Sequence, residues 1–241
     1  QNSLKERLIT EDGFNWKLIT PVKEQDSYRG EILKYVGGVD LSFSKNDPSI
    51  ACASLVVLDF PTLDVVHEDF TIVELTIPYV PGFLAFREAP VLLELLKKMK
   101  ERAISLYPQV LMVDGNGLLH PRGFGLACHI GVLADLPTIG IGKNLHHVDG
   151  LTQTRVRQLL EANGDSSSDI ITLIGDSGST LGAAMRSSGG SVKPIFISVG
   201  HRISLASAIE IVKLSCKFRV PEPIRQADIR SKDHLRKHGF S

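Results

Sequence analysis

The sequence is short of cysteine, of aromatic residues and of any surplus charge. Its three cysteines, Cys52, Cys128 and Cys216, are far apart, odd in number and form no CxxC pair. That argues against a disulfide framework or a zinc site and suits a reducing compartment. Lys plus Arg and Asp plus Glu both number 27, so net charge points to no partner. A nucleic-acid partner would need a local basic surface instead. No apolar run nears the ~18 residues that span a bilayer, so no membrane partner is expected. No secretory signal is read at the start, and Gln1 in place of Met reads as a trimmed beginning. There is no internal repeat, and no long apolar seam calls for an obligate dimer, so a monomer is expected. What the chain does have is 241 residues with 43% hydrophobic content, enough for one sizeable core. It is read as a single domain over 1–241.

One stretch organises the rest, Val110-Leu-Met-Val-Asp-Gly-Asn-Gly-Leu-Leu-His-Pro-Arg-Gly-Phe-Gly125. Four apolar residues running into Asp114 predict a strand buried on both faces. Asp114 then stands at the strand's carboxyl end, where an α/β sheet opens into its crevice. The glycines that follow let backbone approach a ligand. The plainer reading is an Asp that caps the next turn.

Residues 1–30 are polar, with a helix or two expected on the outside. The segment Tyr35–Ser44 reads as a first strand, with Val39, Leu41 and Phe43 on one face and Asp40 and Ser42 on the other. An acid inside a strand is costly unless compensated, which singles out Asp40. Strands at 50–58 and 65–73 follow through short turns, implying an antiparallel meander. Pro78 and Pro81 stiffen the next loop, and Pro90 suits the first position of a helix running to about Arg102. Glu88 then lies just before that helix, where it reads equally as a capping carboxylate. A helix over 124–134 leads to a fifth strand, 136–142, parallel to the fourth and ending in Lys143. Asp114 and Lys143 would therefore face one crevice.

Residues 144–194 are less regular, with loops at 162–169 and 189–191, and read as an insertion or hairpin. A last strand over 195–199 leads to Gly200-His201, and Ser204 caps a helix ending near Cys216. Residues 217–238 carry a local charge of 7 − 3 = +4, the one cationic segment. It reads either as a phosphate-backbone contact or as an ordinary solvated helix.

Asp40, Glu88 and Asp114 are thus three acids that the architecture brings together. Three converging carboxylates cannot all stay ionised unless a cation neutralises them. Hard oxygen donors suit Mg²⁺, with Mn²⁺ as a substitute. A nearby Lys143 would help stabilise charge at phosphorus, and His201 reads equally as a residue that orients water or binds a second ion and as an ordinary helix-start or surface histidine. Gly175-Asp-Ser-Gly178 resembles a serine-protease turn without a Ser/His/Asp context. Gly140-Ile-Gly-Lys143 lacks the full phosphate-loop pattern.

Several long motifs together closely resemble the endonuclease V family. They are Val36-Gly-Gly-Val-Asp40, Pro78-Tyr-Val-Pro-Gly-Phe-Leu-Ala-Phe-Arg-Glu88, Val113-Asp-Gly-Asn-Gly117, His120-Pro-Arg-Gly-Phe-Gly125, Gly140-Ile-Gly-Lys143, Ser198-Val-Gly-His201 and Arg219-Val-Pro-Glu-Pro-Ile-Arg-Gln-Ala-Asp228. The resemblance covers roughly residues 30–235, is weak over 1–30 and less tight over 144–194, and is strongest to animal members. It implies a ribonuclease H-like α/β fold with a mixed sheet, three antiparallel strands then two parallel, flanked by helices. It implies Mg²⁺-dependent cleavage of inosine-containing single-stranded RNA at the second phosphodiester 3′ to inosine, leaving 5′-phosphate and 3′-hydroxyl ends. Asp40 and Asp114 match metal ligands, Glu88 completes the acidic site, and Lys143 and His201 match assisting positions. Pro78, Tyr79, Val80 and Pro81 match a wedge beside the lesion, and an aromatic between prolines is a stiff plate for stacking. Gly82, Leu84, Gly115, His120 and Gly125 match the hypoxanthine pocket, where a flipped base is read by backbone groups and stacking. The expected location is cytoplasmic, extending to nucleus and nucleolus. The alternatives are a deoxyinosine-specific DNA repair endonuclease and a non-catalytic reader of inosine in RNA.

Overall fold

A computed structural model describes residues 1–18, 30–78, 80–162, 169–187 and 193–240. Among these, eight strands form one sheet: β1 Tyr35–Phe43, β2 Ile50–Asp59, β3 Val65–Glu74, β4 Val110–Asp114, β5 Thr138–Gly142, β6 Ile170–Ile174, β7 Thr180–Met185 and β8 Ile195–His201. Their order across the sheet is β3-β2-β1-β4-β5-β8-β7-β6. β1, β2 and β3 form the antiparallel meander expected from their short turns. β4 lies parallel to β1 and to β5, as the helical crossovers require.

The helices are α1 Asn2–Lys5, α2 Ala85–Arg102, α3 Leu126–Ala134, α4 Gln153–Ala162, α5 Leu205–Leu214 and α6 Glu222–Lys237. β4 is buried on both faces, which is why its apolar run is unbroken. Leu111 and Val113 pack with Leu92, Leu95 and Leu96 of α2 and Ile130 of α3. Val110 and Met112 pack on the other face with Ile211 and Val212 of α5 and Ile224 of α6. Each such side chain, fully buried, contributes about 1.5–3 kcal/mol.

Several sequence readings are corrected. In place of a helix or two over the first thirty residues, the described part has a single four-residue helix, and Lys17 bridges Ile32 in the manner of a strand. Residues 19–29 lie outside the described residues. α2 begins at Ala85, not at Pro90: Arg87 and Glu88 both donate backbone N–H groups to the Leu84 carbonyl. Pro90 therefore sits inside the helix and Glu88 within its first turn. The residues between β5 and β8 supply α4 and the hairpin β6–β7, which extends the sheet past β8. The expected loops at 162–169 and 189–191 fall almost wholly outside the described residues. No helix among the described residues is long and apolar enough to cross a membrane.

Candidate active site

Asp40 reaches the site because β1 and β4 run in parallel register. Val39 stands opposite Val113, so the next residues, Asp40 and Asp114, emerge side by side. α6 crosses this end of β1 at very short range. A Cβ on Gly38 would lie 2.1 Å from the Pro223 carbonyl oxygen, a distance that admits only glycine. That close approach brings the next turns of α6 over β1 and delivers Asp228.

The result is a trio. One carboxylate oxygen from each of Asp40, Asp114 and Asp228 lies within 4.8 Å of the others. The Ser42 hydroxyl donates to Asp40 Oδ2 at 3.1 Å and shares a 2.7 Å hydrogen bond with Ser231 of α6. Lys143, just past β5, places its Nζ 2.5 Å from Asp114 Oδ2 and 3.8 Å from Asp228 Oδ1. Lys232 donates to the far oxygen of Asp228, Oδ2, at 2.8 Å.

The electrostatics show a cluster short of positive charge. Burial, followed by the charge of Asp114, pushes the Asp40 carboxyl far above the carboxylate range. Burial acts to lower the Lys143 ammonium, but Asp114, Asp40 and Asp228 outweigh it and hold its pKa raised. Two lysines, Lys143 and Lys232, thus face three acids, and Asp40, which neither of them pairs with, is the one whose protonated form burial favours. Hard oxygen donors at this spacing fit a divalent cation, which would replace that proton.

Beside the trio opens a cavity of about 400 Å³, within the ~300–1,000 Å³ typical of ligand pockets. Asp114 and Glu88 stand on its wall. Burial, and to a lesser degree Asp114, raises the Glu88 carboxyl to about 7. Pro81, Gly82, Leu84, Gly115, His120 and Gly125 all line this one cavity. Gly125 starts α3 where a Cβ would lie 2.2 Å from the Asn116 carbonyl oxygen, so the loop folds on itself only with glycine there. His120 accepts from the Arg122 backbone N–H through Nδ1 at 3.2 Å, and burial lowers its pKa, followed by His146 and Arg122.

Not every expected residue arrives. Glu88 is not in the trio; it stands on the cavity wall. His201 is at the other end of the sheet. β8 runs antiparallel to β5 and pairs His201 with Thr138, at the opposite end of β5 from Lys143. There His201 is buried, accepts from the Ile9 N–H through Nδ1 at 3.2 Å, and faces Asp135 through Nε2 at 3.8 Å. It therefore neither orients water at the trio nor binds an ion there. Pro78 and Val80 are exposed on the loop before α2 and are not among the residues that line the cavity, although the adjoining Pro81 is. Tyr79 lies outside the described residues.

Sequence reasoning missed Asp228 as a site residue. It counted only as one of three acids in a cationic segment, although it closes the long motif that begins at Arg219. Asn116, Phe124 and Leu126 were also missed on the cavity wall, as was His146, which has no sequence signal at all.

The family model for endonuclease V matches residues 17–229. Human endonuclease V is 51% identical over 241 residues, covering 98% of this chain and 81% of the relative. The crystal structure of the catalytic domain of human endonuclease V superposes with a TM-score of 0.86 at 47% identity, covering 100% of this chain and 95% of that one. The Ciona intestinalis endonuclease V, solved with a 24mer DNA containing an inosine followed by a ribo-adenosine, superposes with a TM-score of 0.87 at 35% identity, covering 98% and 95%. The sheet order and crossovers described above are accordingly a ribonuclease H-like fold.

Proposed function

Because this chain belongs to the endonuclease V family, and is an endonuclease, we propose that it cuts single-stranded RNA at the second phosphodiester 3′ to inosine. The cut leaves 5′-phosphate and 3′-hydroxyl ends, and the enzyme acts as a monomer. The observation that carries this reading is the position of Asp114. The same carboxylate belongs to the acidic trio and to the wall of the base-sized cavity. A base held in that cavity would have its own backbone beside the cluster. The inosine in the Ciona complex supports the identity of the base.

Asp40, Asp114 and Asp228 would hold Mg²⁺, with Mn²⁺ able to substitute, as hard carboxylate donors favour. A divalent ion there supplies positive charge against that developing at phosphorus. Lys143, within 4 Å of two of the three acids, adds a second cation for the same charge. Glu88, with its carboxyl near 7, exchanges a proton with water at neutral pH from the cavity wall. Gly82, Gly115 and Gly125 bring backbone groups up to the flipped base, and Leu84 and His120 pack beside it. Pro78, Tyr79, Val80 and Pro81, which match a wedge by their sequence, would fill the place the base leaves.

A second reading, cleavage beside deoxyinosine in DNA, draws support from the DNA strand in the Ciona complex. The 2′-hydroxyl is what would separate the two substrates. Cleavage rates on matched single-inosine RNA and DNA strands decide between them. Faster cutting of RNA is expected, and faster cutting of DNA overturns the RNA preference. A non-catalytic reader of inosine is disfavoured, since a binder has no use for three clustered acids.

A further inference from the structure

A second hollow, of about 530 Å³, opens on the other flank of the trio. Phe43, Lys45, Lys232, Leu235, Arg236 and Phe240 are among its lining residues. Asp114 faces the base cavity, whereas Lys232, bonded to Asp228, faces this hollow. The surface therefore runs from base cavity to Asp114, to Asp228, to Lys232, to the hollow.

The chemistry of the lining is distinctive. It carries three cations and two phenylalanines and has no acid in its own wall; Lys232 bonds Asp228 and Arg236 pairs with Asp233, so Lys45 carries the charge offered to a phosphate. Phe43 lies three residues past Asp40 on β1 and is 40% exposed, with the Arg87 guanidinium 5.5 Å from its ring centre. Exposed aromatic rings between lysines are what single-stranded nucleic acid uses: bases stack on the rings and phosphates meet the cations. The hollow at Arg157, Lys193 and Arg219 is less suited. Glu161 stands in its wall and takes the Arg157 side chain at 2.7 Å. Arg219 donates to the carbonyl oxygens of Lys143, Lys193 and Pro194.

We propose that the hollow around Phe43, Lys45 and Phe240 is a subsite for the nucleotides 3′ of the cut. Its polarity rests on the function proposed above. The flipped base lies 5′ of the bond that breaks, so the flank opposite the base cavity receives the 3′ segment. Two or more nucleotides there would anchor the strand across the trio from both sides.

The test uses the full chain and fluorescent single-stranded RNAs with one inosine and two, four, six or eight nucleotides 3′ to the cut. Affinity is read by anisotropy with EDTA present, so that no strand is cut. A parallel series varies only the 5′ length. For the parent, Kd should tighten roughly tenfold along the 3′ series. Phe43→Ala combined with Lys45→Glu should abolish that gain and leave the 5′ series unchanged. Phe240→Ala should reduce it. Phe43→Trp, which keeps an aromatic ring at this position, should retain the gain. All three positions are at least partly exposed, and thermal melts verify that the variants fold. A parent Kd indifferent to 3′ length, or a double variant that keeps the full gain, overturns the subsite. If inosine itself makes no difference while the 3′ gain stands, the reading of the base cavity fails and the subsite survives.

Discussion

Lys143 Nζ lies 2.5 Å from Asp114 Oδ2, although the two residues end neighbouring strands 29 positions apart in the chain. The parallel register of β4 and β5 makes that contact. It holds a cation 2.5 and 3.8 Å from two of the three acids, where charge compensation matters most.

Replacing Lys143 with Met keeps much of its length and removes its charge. Cleavage in Mg²⁺ should fall by roughly 10²–10³-fold, the loss usual when a preorganised charge is taken from a developing anion. Single-turnover rates on an inosine strand measure this. A rate within about twofold of the parent would mean that Lys143 only props up Asp114.

Asp228→Asn keeps the shape of α6 and removes one donor charge from the trio. Cleavage should drop by at least roughly a hundredfold, while binding of inosine RNA is retained or tightened, because one repulsive carboxylate is gone. Unchanged cleavage would reduce Asp228 to a partner of Lys232.

Stability should depend on pH through Glu88. Its carboxyl sits at about 7 in the fold, above its ordinary value of 4.5, so folding favours the protonated form. That contribution is complete below about 4.5 and is lost as pH rises through 7. The histidines lowered by burial, His120, His129 and His201, act in the opposite sense around 6.5. The comparison is therefore parent against Glu88→Gln, melted in EDTA from pH 5 to 8. The parent should lose more stability than the variant over this range, and added Mg²⁺ should narrow the difference. Parallel curves would place Glu88 in water.

His201→Ala should destabilise the chain without touching the chemistry. It removes the part-buried hydrogen bond to the Ile9 N–H, worth about 0.5–1.5 kcal/mol, together with the packing of a buried ring. Melting temperature should drop, and kcat measured well below the new Tm should stay near the parent value. A large fall in kcat with an unchanged Tm would return His201 to the active site.

How much was legible depended on whether position or partner decided the role. Asp40 stood out because an acid breaks the apolar pattern of a buried strand. Asp114 stood out because a four-residue apolar run ends on it. The meander and the β4–β5 crossover followed from connection lengths, and with them Lys143. Asp228 could not be read this way. Its segment is cationic and helical, and its role appears only when α6 lands on Gly38 with no side chain between them. His201 failed for the converse reason. Its motif is at the end of a strand, but whether that end points toward or away from Lys143 depends on β8 running antiparallel to β5, which no local pattern encodes. The cavity was legible as a set of glycines and not as a volume: His146 joins it from a region with no signal of its own.

The central claim is that Asp40, Asp114 and Asp228 form one cation site. Calorimetric titration of the parent and of Asp40→Asn, Asp114→Asn and Asp228→Asn with Mn²⁺ at pH 7.5 tests it without any nucleic acid. The account predicts saturable binding by the parent, weakened roughly tenfold or more in each single variant, with net proton release on binding as the raised Asp40 carboxyl ionises. Parent-like Mn²⁺ affinity in Asp114→Asn would contradict it.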